Sequence, residues 1–200
     1  GTILIGNQDV TRYPDYKMAK YVARVFQSTT MGTAEEMTIE ENLCLAEKRG
    51  KRRGLMWGVT KSRRSRYGEL LKFLELGLED RTSQKVGLLS GGQRQSLTLL
   101  MTTLAMPKLL LLDEHTAALD PRTAEKIMAL TEKMVRENNL TTLMVTHNMN
   151  QALQYGNRMI MLHQGKVQLD IKGEEKEEMT TKEIISKFGQ TLRDETLLSV

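Results

Sequence analysis

Residues 89–114 run from Leu89-Ser90-Gly91-Gly92-Gln93 to Leu109-Leu110-Leu111-Leu112-Asp113-Glu114, and the reading of these two ends decides the fold. Ser90, with Gln93 three residues later, has the spacing of a capping box and predicts a helix through about Ala105. The leucine run is continuously apolar, the type of strand buried on both faces of a parallel sheet, and it ends in two acids. A strand whose carboxyl end presents acids is where open α/β sheets place their ligands.

Outward from there, the same pattern repeats. Asp120-Pro121 pairs an N-cap with a proline at the first helical position and predicts a helix over 121–137. Leu140 to Thr146 reads as a second buried strand, with His147 at its tip, and residues 148–155 as a short helix. Arg158–His163 and Lys166–Ile171 flank Gln164-Gly165 as a hairpin. The charged stretch 172–178 reads as a solvated linker before a last helix, capped at Thr180 and running toward Phe188. Upstream, Thr2–Ile5 reads as a strand followed by a Gly6–Asp9 turn, and Tyr21–Phe26 as a strand ending at Gln27. Thr38 and Glu41 form another capping box for a helix through Glu47. A Gly- and Arg-rich connector covers 50–60, and 61–76 reads as an amphipathic helix. Strands alternating with helices predict an α/β parallel sheet with a helical insert between about 38 and 90.

Composition narrows the classes. Apolar residues make up 40% and aromatics only 4%, so the core rests on Leu, Met, Ile and Val. No apolar run approaches the roughly 20 residues that span a bilayer. The one cysteine, Cys44, forms no internal disulfide, reads as a small buried helix residue and fits a reducing cytoplasm. Lys48, Arg49, Lys51, Arg52, Arg53, Lys61, Arg63, Arg64 and Arg66 put nine cations and no acid between 48 and 66, so the rest of a chain of net charge +4 carries −5. That run reads as a solvated surface of the helical insert, as a patch for anionic lipid headgroups, or as a nucleic-acid surface. The last is disfavoured because only Trp57 and Tyr67 lie near it for base stacking.

The chemistry lies in four places. At Ser90, Gly91 and Gly92, the first N–H groups of a helix have no internal partner, the helix dipole favours an anion, and a hydroxyl can donate to a phosphate oxygen. Alone, the same residues read first as a plain helix cap. Asp113 and Glu114 alternate across a strand tip, so one can hold Mg²⁺ or its water while the other reaches an attacking water. Alone, they are also what a strand end in solvent looks like. His147 can bond a phosphate oxygen, and the Gln27 amide can ligate Mg²⁺ or touch a water without adding charge.

Taken in order, these segments resemble the nucleotide-binding subunit of an ATP-binding-cassette (ABC) transporter of the bacterial importer type. Leu89–Gln93 is similar to the family signature, Leu109–Glu114 to the Walker B strand with its glutamate, Ala118-Leu119-Asp120 to the D-loop, Thr146-His147 to the switch histidine, and Val25-Phe26-Gln27 to the Q-loop. The resemblance implies a P-loop NTPase-like sheet with a helical subdomain. The ATPase core would be 1–37 and 91–172, the signature subdomain 38–90, and a C-terminal helical tail 173–200. It implies ATP and Mg²⁺ as cofactors: Ser90, Gly91, Gly92 and Gln93 gripping the γ-phosphate of an ATP held mainly by a partner subunit, Asp113 holding Mg²⁺ through water, and Glu114 as general base. His147 would contact the γ-phosphate, Gln27 would link metal and water to the helical subdomain, and Asp120 would cross the dimer interface. Partners would be a second nucleotide-binding subunit, in a homodimer or heterodimer, a separate membrane permease and a solute-binding protein, with no nucleic acid expected. The location would be cytoplasmic, peripheral to the inner face of the cell membrane, and a small solute such as an amino acid would be imported.

Three departures accompany the resemblance. His115 stands where the family usually has proline and Ala117 where it often has serine. Gln95-Ser96 and Met101–Leu104 replace an arginine- and alanine-rich helix, which puts surface pairing along that helix in doubt. The phosphate-loop pattern G-x-x-x-x-G-K-[ST] is absent: Gly50-Lys51 and Gly165-Lys166 lack both the first glycine and the following hydroxyl. With Gly1 already inside a strand, the expectation is an N-terminally truncated cassette that lacks the Walker A region and is itself ATPase-deficient. The alternatives are a soluble cassette acting on nucleic acid or ribosomes, and a non-catalytic interaction fragment. Only 62 residues separate Gln27 from Ser90, without sustained heptads, so there is no room for the long coiled coils of repair cassettes.

Overall fold

The computed structural model describes residues 1–51, 58–184 and 186. They form two compact units that divide after Val145.

The first unit is built on three parallel strands, β3 (Val22–Val25), β4 (Leu109–Asp113) and β5 (Thr142–Val145), in that order. Val22 pairs with Leu109 and Val25 with Leu112, and Leu110 pairs with Thr142 and Asp113 with Val145. The pleat sends alternate residues to opposite faces. Ala23, Val25, Leu110 and Leu112 are buried in one core with Leu97, Leu100 and Met134 of helices α4 (Gly91–Thr103) and α5 (Pro121–Glu137). The strand expected over 140–146 is shorter than read and is not buried on both faces. Leu143 and Val145 are 54% and 49% exposed, because β5 has only β4 as a neighbour among the described residues.

The N-terminal turn is a small hairpin, with β1 (Leu4–Ile5) paired antiparallel to β2 (Gln8–Asp9) and a four-residue helix α1 (Asp15–Met18) after it. Helix α2 (Ile39–Glu47) has both hydrogen bonds of the Thr38–Glu41 capping box. Helix α3 (Lys61–Lys72) ends a turn earlier than the pattern predicts. The amides of Leu74 and Glu75 close tight three-residue turns onto Leu71 and Lys72, and Glu75 takes a left-handed φ of 55° that no helix continues through. Part of the 50–60 connector, Trp57 included, lies outside the described residues.

The cationic run is not one free surface. Arg64 grips the Glu40 carboxylate with two bonds of 2.6 and 2.7 Å, and Arg66 meets Glu47 at 2.5 Å. The Tyr67 hydroxyl donates to the other Glu47 oxygen at 2.6 Å, and burial with that carboxylate pushes the phenol far up. The arginines of α3 therefore tie it to α2. Cys44 is a buried free thiol of α2, donating to the Gly58 carbonyl.

The second unit holds helix α6 (Met149–Gln154), the antiparallel pair β6 (Arg158–His163) and β7 (Lys166–Lys172), and helix α7 (Glu174–Glu178). Met159, Ile171 and Ile184 form its small core. The stretch 172–178 is thus the end of β7 followed by a helix rather than a linker. Lys176 buries its stem and donates to the Leu153 carbonyl, and desolvation lowers its pKa. Residues 181–184 are helical, and the expected continuation to Phe188 lies outside the described residues.

Candidate functional site

At the start of α4, Ser90 has the extended backbone of an N-cap. Its Oγ accepts from the Gln93 amide at 3.3 Å, while Gln93 Oε1 accepts from the Ser90 amide at 3.1 Å. The hydroxyl proton of Ser90 and the N–H groups of Gly91 and Gly92 are left as donors at an exposed helix start, which is what an anion needs. Gly92 has a second reason to be glycine: a Cβ there would lie 2.5 Å from Thr123 Cγ2. That contact brings the first turn of α4 against the first turn of α5, where Asp120 Oδ1 accepts from the Thr123 amide at 3.1 Å. This hydrogen bonding lowers the Asp120 pKa. A Cβ on Gly91 would touch Leu119 and Thr29 at 3.6 and 3.9 Å. The segment after Gln27, the Ser90 helix start and the Asp120 turn therefore meet at one place.

The second cluster is the tip of β4. Glu114 is half-buried with φ 45°, a left-handed conformation that costs a non-glycine residue about 1–3 kcal/mol and accumulates at functional turns. Its amide still donates to the Val145 carbonyl at 3.0 Å, so the chain leaves the sheet at this residue and turns. Asp113 is engaged by Arg24 of β3, which pairs with Leu111, one same-face position before Asp113 on the neighbouring strand. The Arg24 guanidinium also stacks 4.6 Å from the Phe26 ring centroid. His115 is buried behind the tip. Its Nε2 bonds Thr131 Oγ1 at 3.1 Å, and Thr131 spends its own proton on the Ile127 carbonyl. The imidazole is therefore the donor, and burial pushes its pKa down to about 4, leaving it neutral at pH 7.

Gln27 is exposed at the end of β3. His147 lies in the second unit and is also exposed, in the turn where Thr146 Oγ1 accepts from the Asn148 amide and Asn148 caps α6.

Among the described residues, no three His, Cys, Asp or Glu side chains gather as a ready-made metal cage. Mg²⁺ keeps most of its water and binds through one or two carboxylates plus substrate phosphates. A lone carboxylate at a sheet edge fits that habit, with Asp113 and the Gln27 amide as the protein's contribution. Such an ion would replace the Arg24 guanidinium on Asp113.

Reading residue by residue missed Arg24, Arg94 and Gln95. Arg94 is buried, paired with Glu35 and bonded to the Gly87 carbonyl at 3.1 Å. Strand alternation alone puts Arg24 on the face of Asp113 once the two strands are known to be neighbours, but that neighbourhood is not in the local pattern. The helix after the signature, along which the departures put surface pairing in doubt, is buried at every residue from Arg94 to Thr103. Its hydroxyls turn back on its own carbonyls, Thr98 to Arg94, Thr102 to Leu99 and Thr103 to Leu100.

A sequence model described as ABC transporter matches residues 1–117. The chain belongs to the ABC transporter family. A tyrosine transport ATP-binding protein of Clostridioides difficile is 50% identical over 188 residues, covering 94% of this chain and 74% of that protein. A methionine import ATP-binding protein of Bacillus thuringiensis is 34% identical over 171 residues, and the chain spans only 47% of it. Among solved structures, a dimeric post-hydrolysis ATP-binding cassette with ADP and phosphate superposes with a TM-score of 0.68 at 35% identity, over 86% of this chain and 73% of that one. The fold is accordingly the α/β cassette with a parallel sheet, and the ATP-binding proteins of this family are ATPases. Among the described residues no helix is long and apolar enough to cross a membrane.

Proposed function

We propose that this chain is the energy-coupling ATPase subunit of an importer, working on a separate membrane permease at the inner face of the membrane, with a small solute of the amino-acid class as cargo. The observation that carries the proposal is the convergence, in one compact unit, of the Ser90 helix start, the Asp120 cap and the segment after Gln27, together with a strand ending in Asp113 and a left-handed Glu114. The names of the relatives, a tyrosine transport and a methionine import ATP-binding protein, support the solute class.

In this reading the sites are composite. The Ser90 hydroxyl and the Gly91 and Gly92 amides donate to the γ-phosphate of a nucleotide held mainly by a second subunit, with Gln93 fixing their geometry through the cap. Glu114 accepts the proton of the attacking water, a role worth about 10²–10⁴ in rate. His147 donates to a γ-phosphate oxygen, Gln27 orients the water, and Asp120 reaches across the dimer. Mg²⁺ supplies charge neutralisation of the phosphates, with Asp113 as its protein anchor. The 200 residues contain no G-x-x-x-x-G-K-[ST] cradle, so on their own they bind ATP weakly.

The test mixes the chain with the intact C. difficile relative whose own signature serine has been replaced by alanine. Restored ATP hydrolysis, lost again with Ser90→Ala in this chain, is expected. No restoration at any ratio overturns the composite-site reading. Micromolar ATP binding by the chain alone, measured by calorimetry, overturns the expectation of weak binding.

A further inference from the structure

The residue that follows the signature by two positions carries a role that the resemblance does not assign. Gln95 is 1% exposed, and its amide nitrogen donates to two carbonyls distant in sequence, Phe26 at 3.2 Å and His115 at 2.7 Å. The first carbonyl immediately precedes Gln27 and the second immediately follows Glu114. One rigid amide on α4 thus holds the backbone on which the two polar loops are hung.

Its neighbours on the same helix complete the grip. Arg94 pairs with Glu35, near the far end of the segment that begins at Gln27. Thr98 packs at Gly32 in the middle of that segment, where a Cβ would come within 3.2 Å of Thr98 Cγ2. Beyond Glu114, the His115 ring is held by Thr131 on α5 while its carbonyl is held by Gln95 on α4. A buried carbonyl without a donor is costly, so neither loop can leave this bracket cheaply.

We infer that Gln95 is a positioning residue that couples the glutamine loop to the Glu114 turn through the signature helix. Any tilt of α4 when an anion engages its N-terminus is delivered to both loops by the same amide. This rests on the importer-ATPase reading for its functional meaning, but the mechanical link stands on the hydrogen bonds alone.

The experiment is backbone hydrogen exchange on the chain with and without Gln95→Leu, read at two loop amides. Met31 donates to Ser28 after Gln27, and Ala117 donates to Glu114. Loss of one net hydrogen bond predicts about a tenfold rise at both probes together. Thr102→Val removes a buried hydroxyl of the same helix that bonds only within the helix, and it should leave both probes unchanged. A rise at neither probe, at one alone, or equally in Thr102→Val overturns the coupling. If the leucine variant does not fold, the wild-type side-chain amide protons of Gln95 decide the matter: slow solvent exchange is expected, and exchange as fast as a free glutamine overturns the bracket. A wild-type ATPase mixture that hydrolyses nothing would sink the importer reading while leaving the exchange result intact.

Discussion

The start of α4 and the tip of β4 are the two candidate site elements of the first unit, and they are built in opposite ways. The helix start is made from neighbours in sequence: Ser90 and Gln93 satisfy each other across three residues. The strand tip is made from strangers. Asp113 is met by Arg24, 89 residues away, and the carbonyl after Glu114 is met by Gln95, 20 residues away. A locally closed motif can keep its geometry in many settings. A tip assembled from remote partners reports whether the rest of the unit is in place.

The largest effect that sharpens this contrast is at the tip. Glu114→Gln keeps the shape and removes the base. Because the working site of the mixed-subunit assay takes its signature from this chain and its base from the relative, Glu114→Gln here should leave the rate unchanged. The same change at the relative's matching glutamate should lower hydrolysis by about 10²–10⁴ with nucleotide binding retained. A rate within tenfold of wild type after that second change would break the assignment. Next comes His115. Its folded pKa of about 4 lies below the ordinary 6.5, so the unfolded chain binds the extra proton between those values. Stability contributed by this histidine is complete above pH 6.5 and is lost as pH falls toward 4, by about 3 kcal/mol at most. Urea titrations across that window should show His115→Gln with a shallower acid loss than wild type, and parallel profiles would contradict the buried-donor geometry.

At the helix start the effects are smaller. Gly92→Ala places a methyl against Thr123 and should cost about 1–3 kcal/mol by overpacking, seen as a lower denaturation midpoint. An unshifted midpoint would mean that the two helix starts are not in contact. Ser90→Ala removes only a cap and should cost about 1 kcal/mol. A loss as large as that of Gly92→Ala would show that the serine is wired into more than its own first turn.

The same contrast explains what could be read from the sequence. The bounds of α2 and α5 were legible because Thr38–Glu41 and Asp120-Pro121 are local signals, and so was the Ser90 cap. The apolar period overshoots the end of helix α3 because Leu74 and Leu76 keep it while Glu75 has already broken the backbone. The pattern at 140–146 suggests a doubly buried strand because an apolar run carries no record of how many neighbours its strand has. Lys176 looked like part of a solvated stretch because nothing nearby in sequence points to the Leu153 carbonyl. Arg24 and Gln95 stayed silent for the same reason: their partners lie on other elements, and only the sheet order and the helix face bring them together.

Strand β5 carries one further consequence. Among the described residues, Thr142-Leu143-Met144-Val145 pairs only with β4 and is an edge of the sheet, with two aliphatic side chains half in water and neither charge nor proline in the strand to guard them. Such an edge invites another chain to extend the sheet. In concentrated solution this short uncharged segment, rather than the cationic run, is where self-association and loss of solubility should begin.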